Sequence, residues 1–511
     1  MYKLPVTCWA LLILLLFLAF SYSHGNLLDM GTVRIMSSSL PKWPNPIHGF
    51  MWPDIERRLW RGLIRLDGQN EVVPDIARRW EISKDGLVYT FYLRNDVLWD
   101  DGRRLTAKDV VFTFNSLRDP RTHRIKYRFF RWVELVEAID DYTVRLRLKE
   151  PVSWFLPWLW FGIAPEHAFK GRDPFRVNDQ TWIPSNGPFR IKEFARDQFL
   201  VLEASPTYYG SKPRIKRLVF IPAKSSSFLL LLKSGCADIG QVDAISIPAL
   251  TGTDIRVVEY PASDMKTLRF NMSNSIWENK RIRQALSKLI DRNAFLKAAQ
   301  FGHGEPGYHA FQNTWAEKAV KGAKIHRYNP ECAQQLLKAA GWQKGPDGFY
   351  ANKDGKRLSF TLLPYWSVVN VGYQTMVLKE QLRQEGVEVV LVDKKWGDPS
   401  VDAIQAQPMG LYDPVGELYN SFHSSRSAYC NPEVDSLLDR LKTTMDRKEK
   451  MNILPALQNA FYEDPPEIYL FYFTSALGVH KSLQGMKPKV LAHWGMGFLW
   501  DLESWHRRDV E

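Results

Sequence analysis

Between residues 87 and 93 the side chains alternate: Leu87, Tyr89, Phe91 and Leu93 fall on one side, Val88, Thr90 and Tyr92 on the other. A period of two predicts a strand with one face buried. Asp85-Gly86 predicts a turn before it and Asp100-Asp101-Gly102 a turn after it. Thr106 and Asp109 then stand ahead of the apolar run Val110, Val111, Phe112 and Phe114, a capped helix start. Val144, Leu146 and Leu148 alternate with Arg145, Arg147 and Lys149, a strand with a charged, wet face. Residues 31–39 read as a first strand and Leu268 to Asn271 as a later one.

The period changes to that of a helix over 281–291, where Ile282, Ala285, Leu286, Leu289 and Ile290 share a face. Asn329-Pro330-Glu331 and Asn431-Pro432-Glu433 are helix starts, each with an Asn cap and Pro in the first turn, and Gly341 ends the first of them. A helix over 225–235 precedes a strand near Asp238, and a helix over 376–386 precedes a strand over 387–392. This alternation predicts an α/β protein. With 511 residues it needs two or three domains.

Composition adds an address. Lys3, the apolar run Ala10–Phe20 and the small residues Ser21-Tyr22-Ser23 read as a cleaved secretory signal over 1–23. The rival reading is an uncleaved anchor. Cys8 precedes the apolar run, so a lipid-modified cysteine is not expected. The formal charge of +12 is spread among interleaved acids and bases, with no basic run suited to nucleic acid. Cys236, Cys332 and Cys430 remain after the signal, an odd number with no Cys-x-x-Cys, so pairing stays open.

Gly302-His303-Gly304-Glu305-Pro306-Gly307 has dinucleotide-motif spacing, but it follows a helix rather than a strand, and Pro306 has no amide to offer a phosphate. It reads as a loop. No phosphate loop, zinc-protease motif or serine elbow occurs. The histidines are dispersed and no carboxylate pair stands out, so the expectation is no enzyme, no metal and no cofactor. Aromatics make up 13% of the chain, and in a cleft fold they line walls that accept varied ligands.

The segment from Gly62 to Phe114 resembles the signature region of the family 5 extracellular solute-binding proteins, the peptide- and nickel-binding receptors of bacterial ABC importers. Val-Pro ahead of Trp80, Asp85-Gly86, Leu93-Arg94, Trp99, Asp101-Gly102 and Leu105-Thr106-Ala107 carry the resemblance. Ser185-Asn186-Gly187-Pro188-Phe189, Tyr208-Tyr209, the helix over 281–291 and Leu337–Trp342 extend it. It implies a two-lobed α/β periplasmic binding protein fold, type II and cluster C-like, with an inserted subdomain and a hinge. Lobe I comprises 24–263 plus 482–511, with the subdomain over about 61–184; lobe II comprises 264–481, with crossings near Met265 and Lys481.

The function so implied is capture of a peptide or peptide-like solute in the interlobe cleft, in the periplasm, by a monomer that delivers it to an inner-membrane permease. Alternatives are a nickel, metallophore, opine or oligosaccharide receptor and, in another class, an exported hydrolase. The candidate ligand-binding residues are Ser38, Asn186, Tyr365, Trp366, Trp396, Tyr412, Asp413 and His423. One departure bears on the ligand. Peptide-binding members place an aspartate three residues before an acid-Pro pair to hold the α-ammonium. With Asp413-Pro414 as that pair, Gly410 occupies the position, and Gln407 stands where a Trp is usual. The amine then falls to another acid, such as Asp264 or Asp413, or the ligand lacks one.

Overall fold

A computed structural model describes residues 31–508 apart from 39, 42–43, 48–52, 69, 123, 177–181, 365–370, 409–412 and 490–496. The proposed signal lies outside the described residues. Among the described residues no helix is long and apolar enough to cross a membrane.

The first strand, β1 (Thr32–Ser37), is followed by helix α1 (Pro53–Leu59). The alternating stretch forms as its pattern predicts: β2 (Ala77–Ile82) and β3 (Val88–Leu93) pair around the Asp85-Gly86 turn, with Tyr89, Phe91 and Leu93 buried. Gly86 and Gly102 adopt positive φ of 69° and 86°, which a side chain disfavours. Helix α2 (Ala107–Leu117) starts where expected, its Asp109 carboxylate accepting from the Thr106 amide at 2.8 Å. With β4 (Val133–Asp140) and β5 (Thr143–Leu148) these strands make a four-stranded sheet, order β2-β3-β5-β4.

Among the described residues the main sheet has eleven strands. Its first-half members are β1, β6 (Phe189–Ala195), β7 (Phe199–Ala204), β8 (Arg217–Pro222) and, after the short helix α3 (Phe228–Lys233), β9 (Ile239–Gln241). Then comes β10 (Ile255–Phe270), at 16 residues far longer than the four-residue strand the pattern announces. The second half contributes α4 (Lys280–Leu289), α5 (Pro330–Ala339), β11 (Ser359–Pro364), α6 (Val371–Gln384), β12 (Glu388–Leu391) and β13 (Ala403–Ala406). Helices α7 (Pro414–Phe422), α8 (Pro432–Thr443) and α9 (Arg447–Glu463) precede the second long strand, β14 (Glu467–His480). The strand order is β12-β11-β13-β10-β14-β9-β1-β8-β7-β6, with Glu305–Pro306 pairing β14 off this path.

Among the described residues only β10 and β14 run through both halves. Their pairing slips between Pro261 and Met265, opposite Thr474 and Tyr472. On one side of that slip lies the larger core, containing Val33, Ile35, Leu218 and Ile239; on the other lies a second core built on Leu268, Phe270, Leu286 and Leu362. By Leu477 the chain already pairs with β9, so the return to the first half is complete before Lys481. Helices α7, α8 and α9 pack on the first-half core: Trp154 meets Tyr419 at 5.5 Å, and the Lys442 ammonium reaches Glu150 at 2.6 Å. Cys236, Cys332 and Cys430 are all free thiols.

Candidate functional site

Strand direction places the cleft. Strands β1, β8 and β9 run the same way as β10, because β9 and β10 are each antiparallel to β14 and β1 is parallel to β8 and β9. Strands β11, β12 and β13 run the opposite way, since β13 is antiparallel to β10 and β11 is parallel to both neighbours. The carboxyl ends of the two sets therefore point at each other across the slip in β10 and β14. Ser38, Pro222 and Gln241 approach from one side, Pro364 and Ala406 from the other. Open α/β sheets bind ligands beyond such strand ends, where side chains and turn amides are free to converge.

At the crossing sits Lys266, wholly buried on β10. Among the described residues its ammonium has one neighbour of hydrogen-bonding type, Gln407 Oε1, at the outer limit of 3.5 Å. Burial lowers its pKa from 10.5 to about 8, because taking the ammonium out of water penalises its charged form. Around it are polar side chains that the fold buries but leaves incomplete. The Gln374 Oε1, Gln405 Nε2, Thr267 Oγ1 and Ser475 Oγ atoms have no hydrogen-bond partner among the described residues. Gln405 does accept from the Thr375 hydroxyl. Gln374, Gln407 and Ser475 line one cavity of 140 Å³ together with Gln241 and Asp243 from the opposite strand end. Burial also raises the Asp243 pKa. A buried polar atom without a partner costs roughly 1–3 kcal/mol, which a ligand supplying that partner recovers.

The sequence-derived candidates divide. Ser38, exposed at the end of β1, lines a small pocket of 50 Å³ with Gln241 and Phe498, on the first-half side of the cleft. Tyr365, Trp366 and Tyr412 lie outside the described residues, as does Gly410; they follow β11 and β13, whose ends face the cleft. Trp396 stands 45% exposed on the loop after the edge strand β12. Asn186 is buried between α1 and β6, its side-chain oxygen accepting from the Arg61 amide at 2.7 Å.

Asp413 is occupied. It caps α7 by accepting from the Val415 amide at 2.9 Å, and Lys450 lies 3.7 Å from it. The buried Asp264 is likewise engaged within the fold. His423 ends α7, stacks on Tyr419 at 4.5 Å and pairs its Nδ1 with the Ser425 hydroxyl at 2.8 Å. Among the described residues no group of three metal-ligating side chains occurs. Sequence reading missed Lys266, Gln374 and Gln405. The one signal available was a lysine next to Met265, close before the strand read from Leu268.

The model of the bacterial extracellular solute-binding proteins, family 5, matches residues 71–429. The chain belongs to this family. Its members are solute-binding receptors rather than enzymes, and the two-lobed periplasmic binding protein architecture follows with the membership. The NikZ structure from Campylobacter jejuni in complex with Ni(L-His) superposes with a TM-score of 0.80 at 27% identity, covering 94% of this chain and all of that one. The oligopeptide-binding protein AppA of Bacillus subtilis is 26% identical over 497 residues, 88% of this chain and 87% of AppA. A Brucella abortus protein named as an ABC transporter peptide-binding protein is 29% identical over 332 residues; the match spans 63% of this chain and 60% of that relative.

Proposed function

We propose that the protein is the periplasmic receptor of an ABC importer and captures a peptide or peptide-like solute between its lobes. The reading rests on one observation: opposed strand ends enclose a buried ammonium that has no counter-charge among the described residues, beside carboxamide and hydroxyl atoms that lack partners among them. A carboxylate on the solute meets Lys266, and its amide groups complete Gln374, Gln405 and Ser475. AppA and the Brucella relative are named for peptides, which supports this class of solute.

In this reading lobe I comprises 24–263 and the tail after 482, lobe II lies between, and the hinge is the slip at 261–265 and 472–474. Lys481 then falls just outside the hinge. Both lobes touch the solute only when shut, so binding energy shifts an open–closed equilibrium, and the shut form is the one a permease recognises. The signal over 1–23 is removed on export. The test is native mass spectrometry of the gently purified protein, followed by calorimetry of the identified solute. A peptide mass, with binding weakened at least about tenfold in Lys266→Met, is expected. A retained nickel or iron chelate, or a solute without a carboxylate, overturns the peptide reading.

A further inference from the structure

Lys266 answers the carboxylate of a peptide, but no group described so far answers its amine. Asp264 and Asp413 are both engaged within the fold. The cavity shared by Gln374, Gln407 and Ser475 has two acids in its wall, Asp243 and Glu259, and no lysine or arginine among the described residues.

The two acids differ in what they already hold. Glu259, on β10, has the His303 Nδ1 atom 2.7 Å from its Oε1. Asp243 follows β9 and precedes the short helical turn Ala244–Leu250, which its side chain does not cap. Among the described residues no cation and no hydrogen-bond donor meets its carboxylate. It stands at the rim, open to solvent on one side, yet enclosed enough for burial to raise its pKa. A carboxylate so placed gains from a cation that brings its own hydrogen-bond donors.

Strand β14 sets the spacing between Asp243 and Lys266. Val242 donates its amide to Ala476, and Lys266 pairs with Phe471 on the same strand. Five residues of strand span roughly 16 Å. Asp243 lines the cavity and the Lys266 ammonium lies beside Gln407 in its wall, so both charges reach inward from that span. An extended peptide advances about 3.3–3.6 Å per residue, so about two to four residues join them.

The same cavity wall carries two large apolar side chains that the fold leaves exposed, Ile245 from the first half and Phe301 from the second. Phe301 takes a φ of 54°, which a bulky residue disfavours and a glycine would adopt without strain. We propose that Asp243 takes the α-ammonium of the solute while Lys266 takes its carboxylate, and that an apolar first side chain rests between Ile245 and Phe301. The solute is then a short peptide with both ends free. This inference rests on the reading of the cleft as a peptide site.

Native mass spectrometry of the exported protein tests it, with an equimolar library of di- to tetrapeptides offered with free ends, N-acetylated or C-amidated. Free-ended peptides are expected to bind at least about tenfold more tightly than N-acetylated ones, with apolar first residues enriched. Asp243→Asn changes an exposed side chain that caps nothing. It is expected to bring the free and N-acetylated libraries within about twofold of each other while the loss on C-amidation persists. Asp243→Ser serves if the asparagine variant folds poorly. Glu259→Gln is expected to keep the preference for a free amine. Four outcomes each overturn this proposal and leave the peptide reading standing: equal binding of free and acetylated libraries, an undiminished preference in the Asp243 variants, a preference lost only in Glu259→Gln, or charged first residues bound ahead of apolar ones. Binding of none of the libraries overturns both.

Discussion

Lys266 couples stability to binding through one proton. In the ligand-free protein its pKa of about 8 lies below the ordinary 10.5, so the unfolded chain holds more protons between those values. Stability therefore rises with pH across that window, by about 3 kcal/mol in total. Lys266→Met is expected to abolish the rise and to raise the melting temperature at pH 7, read by calorimetric scans from pH 7 to 10.5. A carboxylate solute has the opposite preference, for the ammonium, so its affinity is expected to fall above about pH 8. A different outcome awaits a buried charge that has its partner. Lys126 is fully buried, donating to Glu56 at 3.0 and 3.1 Å and to the Pro46 carbonyl at 2.7 Å. Lys126→Met strands Glu56, whose pKa burial already raises, and is expected to cost about 3–5 kcal/mol in urea unfolding.

Among elements, the helix starts were the most legible. Asn329 accepts from the Cys332 amide at 2.9 Å and Asn431 from the amides of Glu433 and Val434, as Asn-Pro-Glu at each site predicts. Asn329→Ala is expected to cost about 1 kcal/mol, measured by denaturant midpoint. The alternating strands were legible for the same reason: capping and period two act over a few neighbouring residues. The long strands β10 and β14 were not. Residues 262–268 and 467–472 of these strands are buried throughout, leaving no polar alternation to mark their extent. The contact of Asn186 is likewise not legible locally, since its oxygen accepts from the Arg61 amide across 125 residues of chain.

For the molecule as a whole, the contacts of α7, α8 and α9 with the first half matter most. Trp154 against Tyr419, Lys442 to Glu150, and Lys450 to the Ser153 carbonyl at 3.1 Å bridge the two sides. If lobe II moves as proposed, these contacts act as a clasp on the shut form. Trp154→Ala combined with Lys442→Ala is expected to enlarge the ligand-free radius of gyration in small-angle scattering, and saturating solute to restore the wild-type value. No change on either account counts against a moving second lobe.

The sequence by itself determined what acts locally: capped helices, the turn-flanked strand from Val88 to Leu93, the α/β alternation and, through spaced residues from Gly62 to Phe114, the family. It did not determine which polar residues would be left wanting. That Lys266 finds no counter-charge among the described residues while Asp413 has Lys450 depends on which strand ends meet across the slip in β10 and β14. Charge balance inside a fold is a property of neighbours in space, and only the tertiary structure brings those neighbours together.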